Sequence, residues 1–185
     1  NTVVSNGAQL RLSGNIATDE ELILIGSGPG GANLGVLRNV SGSNTVNGPI
    51  TFTGGVGGRI QAAGDLLING GVTSANLSVM FAPFGGASIT VSNAPVNIGT
   101  ATLQAHDPGT FNLNASSNVM GTFNPGWTIK ANIGAPDALP TNVVLAMGQF
   151  SGSATSAGQG TLDLHGFDVT VGQLRSEYNA AITNP

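Results

Sequence analysis

The chain reads as a succession of short apolar clusters separated by Gly, Asn, Ser and Pro. The clusters, rich in Val, Ile, Leu, Phe and Thr, fall at Gln9–Leu12, Leu22–Ile25, Val36–Val40, Pro49–Thr53 and Asp65–Asn69. They continue at Leu77–Phe81, Ser88–Val91, Thr102–Gln104, Thr110–Leu113, Thr128–Ala131, Val143–Ala146, Thr161–Leu164 and Asp168–Val171. In several, apolar and polar residues alternate. Leu10 with Leu12, Ile50 with Phe52, Leu162 with Leu164 and Val169 with Val171 share one face, while Thr51, Asp163 and Thr170 take the other. That period belongs to a β-strand, in which successive side chains point to opposite sides of a sheet. Before the tail, no window has the apolar spacing and glycine-free length of a helix.

Few turns are the two-residue Asn-Gly or Asp-Gly loops that specify a tight antiparallel hairpin. Most are longer Gly/Ser/Asn stretches, which suit a coil whose strands stack on their counterparts one turn later, about 4.8 Å away. At roughly two dozen residues per turn the chain makes about seven to nine coils. The expected architecture is an all-β parallel β-helix, or β-solenoid, over residues 1–175, followed by a C-terminal tail at 176–185.

Four stretches sharpen this reading. They are Thr2–Ile16 (TVVSNGAQLRLSGNI), Glu21–Leu37 (ELILIGSGPGGANLGVL), Asn39–Phe52 (NVSGSNTVNGPITF) and Gly160–Leu174 (GTLDLHGFDVTVGQL). Each resembles the autotransporter-associated β-strand repeat of bacterial passenger domains, the last most specifically. The middle, about Leu77 to Gly152, is similar only in texture. The resemblance implies a right-handed parallel β-helix at the surface or outside of a bacterial cell, with a display, adhesion or matrix role. It names no ligand.

Composition narrows the function. Only 8% of residues are charged and the formal net charge is −4. The five basic residues, Arg11, Arg38, Arg59, Lys130 and Arg175, are scattered and form no stripe that would neutralise a phosphate backbone. Nucleic acid and an anionic membrane surface are therefore not expected partners, and no segment reads as a membrane-inserting helix. Without cysteine there is no disulfide framework and no thiolate metal site. No cofactor is expected. The segment Leu22–Gly31 satisfies G-x-G-x-x-G after an apolar strand. Turn signals follow it instead of a helix, and no acidic residue stands where a ribose would need one, so it reads as a glycine-rich corner.

Two surfaces are candidates for binding. Asp163 and His165 share an outer face, with Asp168 beyond the corner at Gly166, and Trp127 follows Asn124-Pro125-Gly126, where an exposed indole would suit a sugar ring. Ile23 and Ile25, with Val143 and Val144, lie in runs that are apolar on both faces, so a loop, the tail or another molecule is expected to cover them. Asn and Thr are expected mainly in hydrogen-bonded ladders. His106-Asp107-Pro108-Gly109 reads as a turn. The leading expectation is a non-enzymatic structural or adhesive β-helix that self-associates end to end or belongs to a longer surface fibre. The alternative is a β-helix that binds or cleaves carbohydrate on surface glycans.

Overall fold

The computed structural model describes residues 1–30, 34–148, 160–176 and 180–185. It is all-β, and every named strand pair is parallel. Each early coil contributes one strand to each of three sheets. Sheet I stacks Thr2–Val4, Leu22–Leu24, Ile50–Phe52, Val72–Ser74 and Val96–Asn97. Sheet II stacks Leu10–Ser13, Leu37–Ser41, Gly58–Ala62, Val79–Pro83, Thr102–Ala105, Thr122–Pro125, Val144–Met147 and Gln173–Ser176. Sheet III stacks Ala17–Thr18, Asn44–Val46, Leu66–Ile68, Ser88–Val91, Thr110–Leu113, Lys130–Ile133, Thr161–Asp163 and Ala181–Thr183. This is a β-solenoid of about eight turns. Coil length varies: 20 residues separate the laddered pair Asn112 and Asn132, and 28 separate Asp19 and Asn47.

The alternating pattern does what a half-buried strand requires. Inward positions form continuous rows down the axis, such as Leu66, Ile89, Phe111 and Ala131 on sheet III. Phe81 stacks on Phe111 with ring centroids 4.9 Å apart, and Phe123 follows Phe111 at 6.3 Å in a tilted pair. These rings, with Phe52, are fully buried among Leu, Ile and Val. Nearly all of the fold's apolar burial lies on this axis, and it is the main stabilising contribution.

Polar side chains close the corners. Asp19, Asn47 and Asn69 form one outer ladder, at 2.8 and 2.9 Å. Thr90, Asn112 and Asn132 form another, at 2.9 and 2.7 Å. The Asn47-Gly48 and Asn69-Gly70 corners lie on top of each other, and a Cβ on Gly70 would fall on the Gly48 carbonyl. Inside, Asn44 donates to the Asn39 carboxamide oxygen at 2.6 Å, and Asn39 donates to the carbonyls of Gly42 and Asp65. Asn39 and Asn44 are fully buried, but their donors are used, so burial leaves them no desolvation cost to bear alone.

Among the described residues sheet I stops at Val96–Asn97, and only a single bridge, Asn97 to Val119, prolongs it. Asn118 reinforces the edge beside that bridge. Its carboxamide oxygen accepts the Val96 N–H at 2.7 Å, and its nitrogen donates to the carbonyls of Ala115 and Ala138 at 2.6 and 2.9 Å. One buried side chain thus supplements the two backbone bonds on this side, from Val119 N–H to the Val96 carbonyl and from Ile98 N–H to the Val119 carbonyl.

Two local expectations are corrected, and the glycine-rich corner is met. Asp168–Val171 is not a strand; that coil's strand is Gln173–Ser176. This strand crosses the boundary placed at 175, and Ala181–Thr183, within the expected tail, joins sheet III against Thr161–Asp163. In the glycine run Leu22–Gly31, Gly26 and Gly28 take positive φ and Gly28 abuts the Gly35 backbone, as in a corner; Gly31 lies outside the described residues.

Candidate functional site

Outward residues of sheet II build a continuous lane along the solenoid. Arg59, Met80, Gln104 and Asn124 occupy successive rungs in strict register. Arg59, Met80 and Gln104 are half-buried and alternate with core residues, Ile60, Phe81, Leu103 and Phe123 among them, whereas Asn124 is itself buried. A groove of about 190 Å3 opens here, lined by Arg59, Met80 and Gln104 with Ser27, Ser78 and the glycines before Arg59.

At one end of the lane Arg59 Nη2 donates to Asp107 Oδ2 at 2.8 Å, and both side chains are largely buried. The partners lie 48 residues apart, on rungs two coils removed. Burial disfavours the Arg59 cation, and the Asp107 charge opposes that effect. Asp107 sits at φ 76°, a left-handed geometry that Asp tolerates because its short side chain bonds locally.

At the other end Trp127 projects from the corner after Thr122–Pro125. Its ring lies parallel to His106, 7° between planes and 6.0 Å between centroids. His106 Nε2 is 3.3 Å from Asn124 Oδ1, and Asn124 spends its amide hydrogens on the Ala146 and Gly148 carbonyls. Burial holds the His106 pKa below its ordinary value, against opposing contributions from the Asn124 hydrogen bond and Asp107. Burial thus favours the neutral form of the ring. Trp127 and Thr128 both have positive φ, 52° and 61°.

Known proteins offer no guide to this lane. No protein-family model, curated protein or solved structure matches the chain. Its chemistry has to be read from the residues.

The other sequence candidates are placed as follows. Asp163 and His165 come together: Asp163 Oδ1 accepts the His165 backbone N–H at 2.9 Å, and Asp163 Oδ2 lies 3.8 Å from His165 Nε2. His165 Nδ1 is 3.2 Å from the Ile133 carbonyl oxygen. This is a self-bonded corner in which the carboxylate fixes the turn. Asp168 lines a different hollow of about 70 Å3, with Asp137, Thr141 and Thr170. Among the described residues no group of three or more His, Asp or Glu is placed to hold a metal ion. Of the doubly apolar runs, Leu22 and Leu24 point inward and Ile23 and Ile25 outward, half-buried. Val143 is in the core, and only Val144 of that pair faces out.

Arg59, Gln104, His106, Asp107 and Asn124 were not assigned to one site by sequence reasoning. Coil period is the signal that would have found them, because it brings residues one or two turns apart onto neighbouring rungs.

Proposed function

We propose that the chain is a structural, non-enzymatic segment of an extracellular bacterial surface solenoid, extended at its ends by further coils. The observation that carries this is the open core at the last rung. Leu174 is in register with Leu145 and Ile182 with Leu162, at positions that are buried wherever another rung follows. Here the strands Gln173–Ser176 and Ala181–Thr183 are exposed throughout. A parallel strand at the end of a stack also presents unpaired N–H and C=O groups, a template for a further strand. The cover is a coil of a longer chain or, for the isolated chain, the first rung of a second copy. The first rung is suited to that role: Thr2–Val4, Leu10–Ser13 and Ala17–Thr18 each have a neighbour on one side only.

The side-chain chemistry supports a scaffold role. Corner carboxylates and amides are committed to turns and ladders, and the low charge of the flanks leaves rung stacking as the dominant interaction. Negative-stain electron microscopy across a concentration series tests the reading. End-joined rods that lengthen with concentration support it; discrete single rods at every concentration contradict it.

A further inference from the structure

We propose that the outer lane of sheet II from Arg59 to Trp127 binds a neutral, pyranose-based saccharide, with Trp127 as the stacking platform and the Gln104 groove as the polar subsite. The proposal is independent of the end-rung reading, because the lane lies on the flank of the solenoid.

Three observations converge on it. The first is the platform. The buried phenylalanines of this region fill the core, whereas Trp127 is 40% exposed, with its ring parallel to His106 at 6.0 Å between centroids. A partly exposed indole offers an apolar surface for the C–H face of a sugar and an N–H for its hydroxyls.

The second is the backbone that holds it. Other left-handed corners use residues suited to that geometry, such as Asn15, Asn76 and Asn93. Here a bulky aromatic and a β-branched residue take it consecutively, a geometry that such residues rarely adopt. The Thr128 hydroxyl donates to the Trp127 carbonyl at 2.6 Å, which helps to hold the corner. Strain of this kind persists where a side chain is being presented.

The third is the adjacent groove. Gln104 stands on the rung before Asn124, two residues before His106 in the chain, and shares a hollow with Arg59, Ser27, Ser78 and Met80. Apolar contact with a few convergent hydrogen-bonding groups is the usual make-up of a small-ligand site. The Arg59 charge is compensated by Asp107, and the run from Leu66 to His106 carries no charged residue, so the site favours a neutral sugar over an anionic one.

Trp127 is the chain's sole tryptophan, so its fluorescence reports directly on the platform. The intact chain would be titrated separately with cellohexaose, chitohexaose, mannohexaose and maltohexaose. The expected result is a saturable emission change with at least one of them, and a Kd raised about fivefold or more in Gln104→Ala. Gln104 is only partly buried, and an unaltered circular-dichroism spectrum and unfolding midpoint would show that the variant folds. Emission that stays flat with every sugar up to about 10 mM would overturn the proposal. So would a response that Gln104→Ala and Met80→Ala both leave unchanged.

Discussion

Leu174 stands directly in register with Leu145 on sheet II, yet Leu174 is 56% exposed and Leu145 is 3% exposed. The two residues differ only in whether a rung lies beyond them. In a solenoid each coil is the lid of its neighbour, so burial at a given position is a property of the stack and not of the local sequence.

The same logic makes Asn118 the residue on which the two-sheet part of the solenoid depends. Asn118→Ala would leave the Val96 N–H and the Ala115 and Ala138 carbonyls without their partner in a site closed to water. The expected loss is about 2–4 kcal/mol, measured as a lower denaturant midpoint with an unchanged slope. A loss within about 0.5 kcal/mol would show that backbone bonds alone hold this edge.

The Arg59–Asp107 pair ties rungs two coils apart. Asp107→Asn keeps a residue that tolerates left-handed φ and removes only the charge, so its effect isolates the ion pair. A double-mutant cycle with Arg59→Met should give a coupling of about 1–2 kcal/mol, between exposed and fully buried pairs. Strictly additive effects would mean that the pair is held in place without stabilising the fold.

His106 gives the fold an acid sensitivity of known sign. Its folded pKa lies below the ordinary value of about 6.5, chiefly through burial, so the unfolded chain binds the proton more tightly. The stability linked to it is fully present above about pH 6.5 and is lost as pH falls through the folded pKa. The unfolding midpoint should drop on acidification from neutral pH, and His106→Gln should flatten that part of the profile. A His106→Gln profile parallel to the wild type would assign the acid sensitivity to other groups.

Much of the fold was legible because its inward rows follow period two: Leu10 and Leu12, Ile50 and Phe52, and Leu162 were assigned to the correct face. The missed strands show where a window of sequence stops being informative. Ala17–Thr18 and Val96–Asn97 are two residues long, and only the rungs beside them make them strands. Val169 and Val171 alternate as a strand would, but their segment is irregular and the chain pairs four residues later. The lane on sheet II was hidden for a related reason. Arg59 and Asp107 look scattered until coils of unequal length are counted, and the variation from 20 to 31 residues blurs that count. Asp163 and His165 were correctly placed together, but their hydrogen bonds belong to the turn.

The central claim, that the last rung is an open core seeking another coil, is tested most directly by sedimentation velocity on the chain and on a Leu174→Lys/Ile182→Lys double variant. Both positions are already exposed, so the variant keeps its fold while two charges block the end. Covering each apolar side chain contributes about 1 kcal/mol, supplemented by the backbone edges, so association should appear only as concentration rises. The account predicts growing head-to-tail oligomers for the unaltered chain and a monomer for the variant at every concentration. A monomeric unaltered chain throughout, or oligomers that the two lysines do not disrupt, would contradict it.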